Sequence, residues 1–143
     1  MPTIIATPAA ADANSYVTQA EANTYFDERL PLATPWVTSG DTAARALIMA
    51  TRVLDTMAQP RKVLVPASAH GEAHYVVGRH WTGAPASATQ RLAWPRTGMY
   101  DRNGNVIPSG TIPHELKDAQ SELAGQLAMG DRTLDNDVIV QGI

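Results

Sequence analysis

Gln90-Arg91-Leu92-Ala93-Trp94-Pro95-Arg96-Thr97-Gly98-Met99-Tyr100-Asp101-Arg102-Asn103-Gly104-Asn105-Val106-Ile107-Pro108 is the stretch on which the reading of this 143-residue chain turns. It sets Trp94, Tyr100 and three arginines among turn-forming residues. Pro95 biases Trp94 toward extended backbone. Asn103-Gly104 is a strong signal for a tight turn with both central residues at positive φ. The pattern predicts a hairpin with strands near 98–102 and 105–108. Aromatics and arginines carry most of the energy of docking surfaces. We therefore expect Arg91, Arg96, Tyr100 and Arg102 at a subunit or partner interface, and Trp94 and Pro95 as a structural anchor holding the hairpin to helices.

Helical patterns lie on both sides. Thr18-Gln19-Ala20-Glu21 is a capping box, in which hydroxyl and carboxylate satisfy exposed helical amides. Ala22, Tyr25, Phe26 and Leu30 follow at helical spacing, and Pro31 ends the run. Asp41 is placed to cap a second helix to about Met57, with Ala43, Leu47, Ala50, Leu54 and Met57 along one stripe widened by Ile48 and Val53. Arg45 and Arg52 sit off that stripe. A third helix is expected from Thr111, with Pro113 in its first turn and Leu116, Ala119, Leu123 and Leu127 as its apolar face. Gly130 is a natural C-terminal cap. Between the second helix and the central stretch, Val63-Leu64-Val65 and Tyr75-Val76-Val77 are β-branched runs able to pair as a hairpin arm. The final Asp137-Val138-Ile139-Val140 reads as a strand whose edge wants a partner, so Val138, Ile139 and Val140 join the expected interface.

These elements predict one mainly α domain over 1–143. It is a small helical bundle of three principal helices with one or two β-hairpin elements, a flexible N-terminal segment 1–14 and a C-terminal arm 131–143. The chain has no cysteine, no signal-peptide pattern and no window near the roughly 18 apolar residues of a membrane span. We expect a soluble chain made in the cytoplasm, with no membrane partner. Net charge is -3, unevenly placed: residues 58–102 carry +4 and the flanks -7. Such segregation favours head-to-tail contacts between copies.

Candidate chemistry is sparse. His70, Glu72, His74 and His80 could form a zinc set, but their spacing is not the helical metalloprotease pattern and exposed loop histidines are the simpler reading. Asp101 to Asn105 imitates the start of a calcium loop, yet Val106 stands at its sixth position and Ile112 at its twelfth, so both the turn and the bidentate ligand are missing. No phosphate loop, nucleophile elbow or cysteine nucleophile is present. We expect no enzyme activity, no metal and no cofactor. Nucleic-acid binding is the serious rival, because Arg91, Trp94, Arg96, Tyr100 and Arg102 interleave cations with aromatics. The acidic overall balance argues against a strong basic footprint.

Several segments resemble tailed-bacteriophage proteins. Ala11-Asp12-Ala13-Asn14-Ser15-Tyr16-Val17-Thr18 is similar to their opening, and Ala46-Leu47-Ile48-Met49-Ala50-Thr51-Arg52-Val53-Leu54-Asp55 to their second helix. Trp81-Thr82-Gly83 with Gln90-Arg91-Leu92-Ala93-Trp94-Pro95-Arg96 resembles their distinctive signature, and Ile112-Pro113 with Leu116-Lys117-Asp118-Ala119 their third helix. The group is often labelled DnaT-like single-stranded-DNA-binding, and its architecture looks like that of head-to-tail connector, or adaptor and head-completion, proteins. The connector resemblance implies a structural virion protein of the neck. It would form a homo-oligomeric, dodecameric ring under the portal protein, dock a downstream neck or tail protein, and let DNA pass without specific binding. The alternative is a single-stranded-DNA-binding protein of phage replication.

Overall fold

The computed structural model describes residues 2–56, 61–78 and 81–130. Along the chain run α1 (Gln19–Asp27), α2 (Asp41–Thr56), β1 (Arg61–Val65), β2 (His74–Gly78), β3 (Ala84–Pro85), β4 (Arg96–Thr97) and α3 (His114–Met129). Among the described residues, helices of 9, 16 and 16 residues stand with four short antiparallel strands. The architecture is therefore mixed α/β, which corrects the mainly α expectation. The cause is the long loop-and-strand region between α2 and α3, where prolines, glycines and β-branched runs leave no room for another helix.

Local signals at the helix ends are realised with small shifts. Thr18 and Glu21 form the reciprocal capping box of α1, but the helix stops at Asp27, before the expected Pro31. In α2 the buried face is Ala43, Ala44, Ala46, Leu47, Ala50 and Thr51, narrower and smaller than the stripe expected. Met57 lies outside the described residues. Helix α3 starts at His114, with Pro113 as the extended residue before it, and Gly130 closes it with its N–H on the Leu127 carbonyl.

Helices α2 and α3 pack against one another, and α1 lies against α3. Gly125 makes the second crossing possible. A Cβ there would fall 2.7 Å from Phe26 Cζ and 2.9 Å from Leu32 Cδ1. Two ion pairs fasten the same crossing. Arg29 meets Glu122 at 2.6 Å and Lys117 meets Glu21 at 2.7 Å, and Tyr25 also donates to Glu122. The Arg29 guanidinium holds the Glu122 carboxyl below the usual range.

Two apolar clusters result, joined through neighbours Tyr16 and Val17. Val17, Ala22, Ala46, Leu47, Ala50 and Ala124 form the helical core. Tyr16, Trp94, Ile112 and Leu116 form the second, flanked by Leu54, Trp81 and Met99. Gln120, fully buried, ties the chain together at this junction. It accepts from the Tyr16 N–H (2.9 Å) and donates to Ser15 Oγ (2.7 Å) and the Leu47 carbonyl (3.1 Å).

Described residues before α1 lie on the body. Asn14 accepts from the Ile5 N–H and donates to the Thr3 carbonyl, and the Arg91 N–H bonds Ala10. Ile4 packs on the helical core. Strands β1 and β2 pair antiparallel, with Val63 opposite Val76 and Leu64 opposite Tyr75. The C-terminal arm 131–143, with Val138, Ile139 and Val140, lies outside the described residues.

Candidate functional site

The central stretch folds differently from the hairpin expected. Its regular pairing joins β4 to β3, with Ala84 opposite Thr97 and Pro85 opposite Arg96. Gly83 makes this approach feasible, because at φ +67 a Cβ would sit 2.0 Å from the Thr97 carbonyl oxygen. Beyond it, the expected strands reduce to one bridge between Tyr100 and Val106. Gly104 turns the chain at φ +83, while Asn103 keeps negative φ. Asp101 replaces the second positive-φ residue as the organiser. Its carboxylate accepts the N–H groups of Asn103 (2.8 Å) and Asn105 (2.9 Å), an Asx-type turn. Those amides hold its pKa below the ordinary carboxylate value.

Trp94 is 5% exposed and Pro95 is fully buried, joined by a cis peptide bond. The Trp94 ring stands edge-on to Trp81, centroids 5.7 Å apart. Behind it, Asp55 of α2 accepts from the Tyr16 hydroxyl and from the Ala93 N–H (3.2 Å), and the Trp94 N–H bonds Tyr16 Oη (3.3 Å). Burial raises the pKa of both the Asp55 carboxyl and the Tyr16 phenol. This network sets the depth at which Trp94 sits.

Arg96 is a buried cation. It is 5% exposed, and its guanidinium donates to the carbonyls of Thr82 (3.0 Å), Ala93 (3.1 Å) and Gly83 (3.2 Å). It clamps the Trp81 loop to the Trp94 loop. Gln90 braces the same corner by donating to Leu92 and Pro95 carbonyls.

Between the Trp81 loop, the Tyr100–Ile107 loop and α3 lies an open groove of about 430 Å³. Trp81, Trp94, Met99 and Ile107 supply apolar wall, and Tyr100, Arg102 and Glu115 its rim. Tyr100 is 64% exposed. Arg102 reaches Glu115 only at 3.9 Å with most of its side chain in solvent, so the pair costs little to open. The Trp94 indole Nε1 is the one buried side-chain polar atom without a partner among the described residues. The structure thus brings Tyr100, Arg102 and Trp94 to one groove. Arg91 lies elsewhere, beside Arg52. Trp81 and Met99 are groove residues that the interface expectation missed. The aromatic–Gly run Trp81-Thr82-Gly83 was the available signal.

Elsewhere, His70 and His74 are exposed in the β1–β2 arm and His80 lies outside the described residues. Among the described residues no three His, Cys, Asp or Glu side chains are grouped to hold a metal. No described helix is long and apolar enough to cross a membrane.

The groove is thus an apolar, aromatic-walled depression on a small α/β domain, with an exposed arginine at its rim. The chain is a member of the family described as "Putative DnaT-like ssDNA binding protein", whose model matches residues 59–141, more than half of its length. That span contains the whole loop side of the groove. No curated protein and no solved structure matches. The family overturns the connector reading. Its description is of single-stranded DNA binding, so the portal, the neck and tail partners, the virion ring and the passage of DNA without binding are set aside.

Proposed function

We propose that this chain is a single-stranded-DNA-binding protein of DNA replication, taking unstacked bases in the Trp81–Trp94–Tyr100 groove. Single strands are held by aromatic faces on which bases stack and by cations that follow the backbone. Tyr100 presents a largely solvent-exposed ring at the groove rim, and this observation carries the proposal. Arg102, two residues on, is placed to meet a phosphate by leaving its long contact with Glu115. The rings are preset: Trp94 by the Tyr16–Asp55 network, Trp81 by the Arg96 clamp. The domain is acidic overall, so stacking carries much of the affinity. The Asp101 carboxylate is engaged in its own turn, and Glu115 stands exposed at the rim.

Titration of oligo(dT) into the purified chain at low salt, followed by tryptophan fluorescence, tests the proposal. Base stacking on one aromatic is worth about 1–3 kcal/mol, so Tyr100→Ala is expected to weaken binding about 5- to 150-fold. Equal affinity of the parent and the Tyr100→Ala variant sinks the groove assignment.

A further inference from the structure

We infer that a second groove, rimmed by Arg45, Arg52 and Arg91 along α2, holds the phosphates of the same DNA strand where it leaves the aromatic groove; the inference rests on the single-stranded-DNA reading. Two cavities of about 500 and 220 Å³ lie next to each other on this side, with Ile48 and Arg52 lining both. Arg45 stands at the rim of the first, Arg91 at that of the second, and Arg52 at both. All three arginines are exposed. Arg45 and Arg52 are seven residues apart on one helix, hence on the same side and about 10 Å apart along its axis. Arg91 extends the line from the loop that leads to Trp94. The floor between them is apolar, with Ile48, Met49 and Leu127.

Carboxylates on this side are largely occupied. Asp55 is taken up by the Tyr16 hydroxyl and the Ala93 amide, and Asp41 lies 3.6 Å from Arg45. The aromatic groove, by contrast, carries both Asp101 and Glu115. Phosphates are therefore better accommodated on the α2 side and bases in the aromatic groove. The two neighbour one another along the chain: Leu54 lines the aromatic groove and Asp55 the arginine side, while from the loop Trp94 lines the first and Leu92 the second. A strand crossing from one to the other passes from stacking walls to guanidinium groups. Arg45 and Arg52 lie outside the matched residues 59–141, whereas Arg91 lies inside them.

The experiment is a salt series of oligo(dT) binding, with a long strand and a trinucleotide, for the parent, Arg52→Ala/Arg91→Ala and Tyr100→Ala. Each single-strand phosphate neutralised contributes about 0.7 to the slope of log K against log salt. With Arg45, Arg52, Arg91 and Arg102 engaged, the parent's slope on the long strand is about -2.8 and the double variant's about -1.4. The trinucleotide, filling only the aromatic groove, binds the parent and the double variant alike, while Tyr100→Ala weakens both lengths. A parent slope near -0.7, that of Arg102 alone, overturns the inference and leaves the aromatic groove standing. So does an unchanged slope in the double variant, which gives this face to another ligand such as an acidic peptide. A parent that binds neither strand removes the underlying reading and the inference with it.

Discussion

Replacing Arg96 with alanine separates the structure's account of the central stretch from a surface-docking account. The side chain is 5% exposed and gives three N–H donors to the carbonyls of Thr82, Gly83 and Ala93. Bonds from a charged donor are worth about 1.5–3 kcal/mol each, and three from one guanidinium do not add fully. Arg96→Ala is therefore expected to cost about 3–5 kcal/mol, a large share of the roughly 5–15 kcal/mol that holds a domain folded. For a chain of this size that lowers Tm by about 10–20 °C in thermal unfolding followed by circular dichroism. Arg96→Lys, which keeps the charge but loses the planar fork, falls between the two. Arg102→Ala, at an exposed cation, leaves Tm within about 2 °C. A melting temperature for Arg96→Ala equal to that of Arg102→Ala refutes the clamp.

Two further tests probe the scaffold. Gly125→Ala pushes a methyl into Phe26 and Leu32 at the α1–α3 crossing, and overpacking of this kind costs about 1–3 kcal/mol in denaturant unfolding. Glu122 has a folded pKa held below its ordinary 4.5 by Arg29, so its contribution is present above 4.5 and is lost as pH falls through the lowered value. Glu122→Gln should flatten that acid limb in unfolding midpoints measured down through pH 4.5; an identical acid limb in parent and variant would count against the pairing.

How much of this was legible in the sequence follows the range of the forces involved. The Thr18–Glu21 capping box and the pairing of the 63–65 and 75–77 runs are local, and the structure shows both. Asn103-Gly104 signalled a turn correctly, but the strands expected around it were not made. Arg96-Thr97 pairs instead with Ala84-Pro85, a partner reachable only because Gly83 lacks a side chain. Three clear helical patterns outweigh strands of two to five residues in the sequence, which is why the mixed α/β balance is visible only in the structure. Arg91, Arg96 and Arg102 look equivalent in sequence, and only long-range contacts divide them. One is buried, one rims the aromatic groove, and one stands beside Arg52. The interleaved aromatics agree with the family's description, and an acidic net charge is a weak counter-signal to it. A stacking groove needs few cations.

The most direct measurement of the central claim is equilibrium binding of oligo(dT) and of a duplex of equal length to the purified chain in low salt. The account predicts quenching of tryptophan fluorescence and a saturable isotherm with the single strand, weaker binding of the duplex, whose bases stay stacked, and a marked loss with Tyr100→Ala. No single-strand binding at low salt, or equal binding of single strand and duplex with no effect of Tyr100→Ala, contradicts it.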